Sequence, residues 1–154
     1  MKEMEIVFEW YTEKDFDELK EMAFALQEED PADLPMTEAK IIKTASESLA
    51  CPEKIQIFMF KSDGATIGYG MLTFIWSNEY GGDVTNIDEV YIKKGYRNRQ
   101  AASSFFRHVL ATYKDTAMFE IEATPSNEGA LSLYKKFGFE LSVNTHLRRL
   151  PDKI

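Results

Sequence analysis

Apolar side chains occupy every second position near the start of the chain, at Met4, Ile6, Phe8 and Trp10. This alternation is typical of a β-strand with one buried face. Similar strand-like segments recur along the sequence, and two of them flank a turn sequence, Ser-Asp-Gly. We therefore predict strands over residues 4–10, 55–59, 67–75, 84–93, 117–123 and 139–147.

Other apolar residues recur every three or four positions, as on the buried face of an α-helix. Thr12 (with Asp15) and Thr37 are typical helix N-caps. Prolines end the first two helices, and Gly138 ends the last one. The predicted helices run from Thr12 to Pro31, from Thr37 to near Pro52, and over residues 98–114 and 128–137.

The strand predicted over 84–93 carries ionisable side chains as well as apolar ones. Simple alternation would place one set of side chains on each face of the sheet. One face would carry Ile87, Glu89 and Tyr91, and the other Asp88, Val90 and Ile92.

Composition narrows the class of protein. The chain has 154 residues, of which 44% are hydrophobic, so it is long and apolar enough for one domain over residues 1–154. Cys51 is the single cysteine, which excludes an intramolecular disulfide and a cysteine-based zinc site. No apolar run is long enough to span a bilayer, and the first residues lack the pattern of a secretory signal. We expect a cytoplasmic protein with no membrane partner and no metal.

The net charge of −8 is distributed unevenly. Residues 13–38 carry a charge of −8, whereas residues 93–114 carry +6 with no acidic residue. Overall acidity argues against nucleic acid as a partner. The basic stretch indicates a small polyanion, although both stretches also fit solvated helix faces.

The basic residues Lys94, Arg97 and Arg99 come just before the helix predicted over 98–114. A helix N-terminus offers unpaired N–H groups and partial positive charge, which suit a phosphate group. The small residues of the segment 101–104 would let an anion approach the backbone. A phosphate-binding site is therefore predicted at this helix start.

Two motifs carry a resemblance to a known family. Residues 87–102, with the run Arg97-Asn98-Arg99-Gln100-Ala101-Ala102, resemble the acyl-CoA motif R/Q-x-x-G-x-G/A of the GNAT N-acetyltransferase superfamily. Residues 127–139 match the superfamily's N-x-x-A-x-x-L-Y-x-x-x-G-F signature at every defined position. The order of predicted elements also resembles that of the GNAT fold along nearly the whole chain.

The resemblance implies an α+β fold with a largely antiparallel, twisted central sheet and helices on both faces. It also implies direct transfer of an acetyl group from acetyl-CoA to a primary amine of a small molecule or peptide. A homodimer is compatible with it. A catalytically reduced GNAT fold that binds acyl-CoA or a partner protein in a regulatory role is the alternative. An unrelated α+β interaction domain is a third possibility.

The same resemblance assigns the acetyl-CoA contacts. They comprise Val90, Tyr91, Ile92, Arg97, Asn98, Arg99, Gln100, Ala101, Ala102, Ser103, Asn127 and Tyr134. The sequence departs from the motif at Gln100, which stands where the family has its first glycine. The Gln100 side chain either points outward and leaves its amide available or weakens cofactor binding.

Catalysis requires a proton acceptor, because most amines are ammonium ions at neutral pH and cannot attack. The resemblance places Glu89 in this role, although a structural acid on the sheet would also fit. Glu122 is the second candidate, and Asp88 is less favoured because alternation puts it on the other face. An amide near Val90 or Ile92 would stabilise the developing oxyanion.

Tyr134 matches the tyrosine that protonates the leaving thiolate in many GNAT enzymes, although it also fits a core position. Asn127 fits both a cofactor contact and a helix cap. Trp76 and Tyr80 lie in the predicted loop 76–82 and are candidates, with Glu122, for binding the acceptor. The acidic stretch 13–38 would favour a cationic acceptor through electrostatic steering.

Overall fold

The structure of the chain is a computed structural model that describes residues 4–98 and 100–152. The chain forms two compact units, Met1–Glu122 and Ala123–Ile154. The first unit contains, in chain order, β1 (Val7–Trp10), α1 (Phe16–Glu29), α2 (Glu38–Ala50), β2 (Ile55–Ser62), β3 (Ala65–Ser77), β4 (Gly82–Ile92), α3 (Ala101–Thr112) and β5 (Met118–Ile121). The second unit contains α4 (Glu128–Lys136).

The five strands form one sheet in the order β1-β2-β3-β4-β5. The first four strands are antiparallel to their neighbours, and β5 runs parallel to β4. The sheet is therefore mixed and largely antiparallel, as predicted. In the part of the chain that the structure describes, no helix is both long and apolar enough to span a membrane.

One face of the sheet packs against α1 and α2. Strand side chains such as Ile57, Met59 and Met71 meet Leu19 and Met22 of α1 in a single buried cluster. These strand residues occupy alternate positions of β2 and β3, and the helix residues lie on one face of α1. The apolar face of the sheet therefore packs against the apolar face of the helix, as the sequence pattern predicted. We call this side of the sheet the α1/α2 face.

The opposite face packs against α3. The fully buried ring of Phe105 lies 4.7 Å from Phe60 and 5.6 Å from Phe8, measured between ring centroids. Gly70 of β3 lies directly beneath Phe105, and a Cβ atom at this position would come within 2.5 Å of Phe105 Cζ. Glycine at this position therefore lets α3 approach the β3 backbone closely. Helices thus cover both faces of the sheet.

Local capping signals are confirmed. Thr37 Oγ1 accepts a hydrogen bond from Lys40 N–H at 3.2 Å. Asp15 accepts one from Thr12 N–H at 3.0 Å, in the short 3-10 turn that precedes α1. These contacts satisfy amides that a helix start leaves unpaired.

The predicted last strand is wrong. No strand occurs between Phe139 and Leu147 among the described residues, although apolar side chains alternate there. Val143 and Leu147 are 97% and 93% exposed. Alternation makes a segment compatible with a sheet, but a strand forms only when a neighbouring strand supplies hydrogen-bond partners.

Candidate active site

A β-bulge in β4 shapes the centre of the candidate site. Glu89 pairs with Met71 of β3, but the next pair joins Ile87 to Leu72, so Asp88 has no partner in β3. Side chains directly opposite each other share a face, and therefore Glu89 lies on the α1/α2 face and Ile87 on the α3 face. The sequence predicted one face for Ile87 and Glu89, which is wrong because alternation does not reveal a bulge.

The same bulge corrects the predicted position of Asp88. Its carboxylate accepts a hydrogen bond from Asn86 Nδ2 at 3.4 Å, and Asn86 also donates to Thr73 Oγ1 at 3.1 Å. Thr73 follows Met71 by two residues on the α1/α2 face, so Asp88 reaches the face that carries Glu89. The Glu122 carboxylate acts on Asp88 as well, and it adds to partial burial in raising the Asp88 pKa.

Glu89 is half-buried and held by one neighbour. The Tyr69 hydroxyl donates a hydrogen bond to Glu89 Oε1 at 2.7 Å. Burial raises the pKa of Glu89 above its ordinary value, Tyr69 opposes this rise by stabilising the carboxylate, and the nearby Asp88 charge adds to it. A carboxylate with a raised pKa is a stronger base than an exposed one.

The second carboxylate oxygen of Glu89 has no hydrogen-bond partner among the described residues. Among the described residues, Oε2 accepts no hydrogen bond, and no buried side-chain oxygen lacks a partner. Oε2 therefore retains accessible surface. One oxygen of Glu89 is fixed, and the other is open.

Beside Glu89, one edge of β4 is unpaired. Strand β5 pairs with Val84–Ile87 only, and no other described strand continues along the edge from Asp88 to Ile92. Lys93 N–H donates to the Ile67 carbonyl of β3 at 2.8 Å, so the backbone groups of Lys93 point toward β3. Successive residues of a strand point their backbone groups to opposite edges. Ile92 and Val90 therefore direct theirs toward the open edge.

Helix α3 begins with an unusual backbone conformation. Gln100 has φ +60° and ψ +23°, in the left-handed region that costs a non-glycine residue about 1–2 kcal/mol. The first helical hydrogen bond runs from Ser104 N–H to Gln100 C=O at 2.9 Å. The N–H groups of Ala101, Ala102 and Ser103 therefore precede the helical ladder and are suited to an anion. The Gln100 side chain is exposed.

The left-handed backbone gives a physical reason for glycine at this motif position, because glycine adopts positive φ without steric cost. Asn98 also has φ +60°, which asparagine tolerates better than most residues. Arg99, predicted to bind acetyl-CoA, lies outside the described residues.

The cations before α3 pair with the acidic helix α1. Arg97 Nη2 donates to both oxygens of Glu29, at 3.0 and 2.7 Å, and Lys94 lies 4.0 Å from the same carboxylate. Lys93 donates to Glu18 at 2.8 Å. The two oppositely charged stretches of the sequence thus neutralise each other in part. Among the described residues of this segment, Arg97 and Lys93 already pair with carboxylates, whereas the amides of Ala101, Ala102 and Ser103 precede the helical ladder.

Arg97 also fixes the backbone of the segment. Its Nε donates to the Ile92 carbonyl at 2.8 Å, and its guanidinium lies over the Tyr91 ring, 5.4 Å from the centroid. The Ile92 carbonyl already accepts this hydrogen bond from Arg97. The Ile92 N–H is therefore the backbone group of this residue that can bind a ligand at the open edge. The contact of Arg97 with acetyl-CoA stays a prediction.

The predicted acceptor residues are spread apart. Trp76 and Tyr80 are 67% and 50% exposed at the end of the β3–β4 hairpin. Trp76 lies five residues beyond Met71, the partner of Glu89, which is roughly 16 Å along the strand and on the opposite face. The structure does not bring Trp76 and Glu89 together. Glu122, in contrast, follows β5 and acts on Asp88.

Two predicted residues lie in the second unit. Asn127 Oδ1 accepts a hydrogen bond from Ala130 N–H at 3.1 Å and so caps α4, which confirms the capping role that its sequence position suggested. Tyr134 lies on α4 with its half-buried ring edge-on to Phe139, 6.3 Å between centroids. Their contacts with acetyl-CoA, and the proton-donor role of Tyr134, stay predictions.

Sequence reasoning missed Tyr69 and Glu29. Alternation assigns Tyr69 to a buried face, but only the register between β3 and β4 shows that its hydroxyl meets Glu89. Glu29 and Arg97 are 68 positions apart in the chain, and the complementary charge of their two segments was the one available signal.

Comparison with known proteins places the chain in a family. The sequence profile of the Acetyltransferase (GNAT) family matches residues 5–139. No curated protein matches the chain by sequence. Similar solved structures share the fold at low sequence identity. A possible acetyltransferase from Clostridium difficile 630 is 17% identical, with a TM-score of 0.81 and coverage of 94% of this chain and 97% of that one.

Two further structures have enzyme names. The aminoglycoside N-acetyltransferase AAC(6')-Iy in complex with CoA is 14% identical, with a TM-score of 0.74 and 97% of each chain covered. A ribosomal-protein-alanine N-acetyltransferase from Brucella melitensis biovar Abortus 2308 is 11% identical, with a TM-score of 0.73 and coverage of 95% of this chain and 99% of that one. These identities support the fold alone, whereas the profile match covers most of the sequence. The chain belongs to the GNAT acetyltransferase family.

Proposed function

We propose that this protein transfers an acetyl group from acetyl-CoA directly to a primary amine of a small molecule or peptide. The observation that carries the proposal is the Glu89 carboxylate. Its Oε1 is held by Tyr69, its Oε2 is accessible, and the next residue, Val90, directs its backbone toward the open edge of β4.

The residues around this edge fit coenzyme A. Its pantetheine arm contains amide groups, which are complementary to the unpaired backbone groups of Val90 and Ile92. Its diphosphate suits the amides of Ala101, Ala102 and Ser103 at the start of α3. Acetyl-CoA supplies an activated acetyl thioester when it is bound.

Glu89 is the proposed proton acceptor. An amine in its ammonium form has no lone pair, so a proton must move to Glu89 Oε2, directly or through one water, before attack. The raised pKa of Glu89 makes this transfer more favourable than it would be for an exposed carboxylate. The carboxylates of Asp88 and Glu122 add negative potential, which favours a cationic acceptor.

Backbone donors and a phenol complete the proposed chemistry. The N–H of Val90 or Ile92 would stabilise negative charge that develops on the acetyl oxygen. Tyr134, on the basis of its match to the family signature, would donate the proton that the departing thiolate requires.

The alternative is a catalytically reduced GNAT protein that binds acyl-CoA or a partner protein for regulation. Two observations favour it: Gln100 keeps a side chain at the glycine position, and Arg97 is already paired with Glu29. It differs from the enzyme in one respect, since it binds coenzyme A without consuming acetyl-CoA.

Release of the CoA thiol from acetyl-CoA, measured with a panel of amines, tests the proposal. The panel contains a polyamine, an aminoglycoside, an amino acid and a short peptide. We expect release with at least one amine, a loss of about 100-fold or more in Glu89→Gln, and a clear loss in Tyr134→Phe. Glu53→Gln, which removes an exposed charge from the turn before β2, is the control for charge removal and should retain full activity.

Two outcomes would reject the enzyme. Thermal stabilisation by CoA without thiol release would favour the regulatory alternative, because binding would then occur without chemistry. Neither stabilisation nor release would contradict both the enzyme and a regulator that binds acyl-CoA.

A further inference from the structure

We propose that Tyr69 is a positioning residue for Glu89: it holds one carboxylate oxygen so that the other is aimed at the amine proton. This inference rests on the proposed function of Glu89 as the base. It concerns a residue of β3 that belongs to neither of the two family motifs found in the sequence.

The register of the sheet places the two side chains diagonally. Tyr69 pairs with Tyr91, and Glu89 pairs with Met71, so Tyr69 and Glu89 lie two positions out of register on the same face. Diagonal neighbours of this kind are within reach of long aromatic side chains. Here the reach produces the 2.7 Å hydrogen bond from the Tyr69 hydroxyl to Glu89 Oε1.

The surroundings of Tyr69 keep its hydroxyl in place. The side chain is 0% exposed and packs in the cluster formed with α1 and α2. Phenylalanine would fill almost the same volume, so core packing alone does not require a hydroxyl at this position. A buried tyrosine hydroxyl does require a hydrogen-bond partner, and the partner here is a carboxylate.

The contact gives the two oxygens of Glu89 different environments. Oε1 is fixed by Tyr69, while Oε2 accepts no hydrogen bond among the described residues and keeps accessible surface. Because one contact fixes the carboxylate group, it also sets the direction of Oε2. Removal of the hydroxyl would free the carboxylate to rotate and would leave it without its stabilising donor.

The ionisable groups that act electrostatically on the pair come from β4. Asp88 and Tyr91 of β4 act on it, and the side chains that α1 contributes to the shared cluster, Leu19, Met22 and Ala23, are apolar. Glu18 of α1 pairs with Lys93. Burial and the Glu89 charge raise the pKa of Tyr69, so its hydroxyl stays protonated and remains a donor at working pH.

The test is the pH dependence of kcat/KM for amine acetylation in Tyr69→Phe. The acidic limb of this profile is the pH range in which the rate rises as Glu89 loses its proton. Loss of the hydrogen bond that stabilises the carboxylate should move this limb to higher pH by about one unit, so the rate at a given pH on the limb falls about tenfold. The KM for acetyl-CoA should not change. Tyr11→Phe, which removes a hydroxyl from the same buried cluster, is the matched control and should leave the limb in place.

A double variant and a modified tyrosine separate positioning from general packing. Glu89→Gln with Tyr69→Phe should be no slower than Glu89→Gln alone, since Tyr69 acts through Glu89. Replacement of Tyr69 by 3-fluorotyrosine, a stronger hydrogen-bond donor of similar size, should move the limb downward. This second replacement preserves the core and therefore tests the contact even if the Phe variant folds poorly.

The Glu89 carboxyl resonance, titrated by NMR without substrate, distinguishes failure of this inference from failure of the proposed function. A higher Glu89 pKa in Tyr69→Phe supports the contact even if no amine is acetylated. An unchanged Glu89 pKa, an unchanged limb in an active enzyme, or a further loss in the double variant would overturn the positioning role.

Discussion

Arg97 Nη2 lies 2.7 Å from Oε2 of Glu29, and this ion pair joins α1 to the segment that leads into α3. The same guanidinium donates to the Ile92 carbonyl, so one side chain connects helix, strand and loop. An anion that binds at the start of α3 would therefore meet an arginine already engaged by a carboxylate.

Removal of the Glu29 charge should strengthen CoA binding. In Glu29→Gln the competing carboxylate is gone, and Arg97 becomes available to a diphosphate, so we expect a Kd for CoA lower by about two- to fivefold, the range of a partly exposed ion pair. Isothermal titration calorimetry measures the change. Glu28→Gln removes the same charge from the same helix and is the control. Equal affinities in the two variants would contradict the competition.

Relief of the backbone at Gln100 should stabilise the protein. Glycine adopts φ +60° freely, although it also makes the unfolded chain more flexible, so we expect Gln100→Gly to gain about 0.5–1 kcal/mol. For a chain of this size the midpoint of thermal unfolding would rise by roughly 2–3 °C. Gln100→Ala keeps the Cβ atom and should give no such gain. If Ala stabilises as much as Gly, the left-handed backbone is not the cause.

The same pair of variants separates strain from crowding in cofactor binding. Tighter CoA binding in both variants would assign the effect of Gln100 to its long side chain. Tighter binding in Gln100→Gly alone would assign it to the backbone.

Gly70→Ala should destabilise the fold. The new methyl group would lie 2.5 Å from Phe105 Cζ, and over-packing of this kind typically costs about 1–3 kcal/mol. Urea unfolding monitored by circular dichroism measures the loss. Gly95→Ala, where the added carbon meets nothing within 4 Å, is the control and should unfold as wild type does. A neutral Gly70→Ala would show that α3 does not pack against β3 as described.

Glu89 should reduce stability at neutral pH. Its folded-state pKa is raised, so the native state binds the proton more tightly than the unfolded state does, and stability falls as pH rises from the unfolded pKa to the folded one. Glu89→Gln removes this loss and can still accept the Tyr69 hydrogen bond. We expect the variant to be more stable than wild type above that window and equal to it below.

Thermal unfolding of wild type and Glu89→Gln across pH 3–8 tests the direction of this pH dependence of stability. Glu53→Gln, which removes an exposed carboxyl, is the control and should follow wild type throughout. A stability difference for Glu89→Gln that does not depend on pH would contradict the raised pKa.

The sequence predicted the elements well where the determining signals are local. Thr37 caps its helix through a residue three positions away, and alternation located every strand of the sheet. Phe139–Leu147 shows the limit of such a signal, because alternation continues there without a partner strand.

The site was predicted only in part, because its geometry depends on contacts between distant segments. The family motifs singled out Glu89 and the start of α3. The bulge at Asp88, the contact of Tyr69 with Glu89, and the ion pair of Glu29 with Arg97 all depend on tertiary register, which a single sequence does not encode locally.

The role of Glu89 as the base is tested by the pH profile of kcat/KM, compared between wild type and Glu89→Gln, for an amine that the wild type acetylates. If Glu89 is the base, the wild-type rate rises with pH as Glu89 loses its proton, whereas Glu89→Gln shows no such rise and is slower by about 100-fold or more. A variant that keeps both the pH dependence and the rate would show that another group takes the proton.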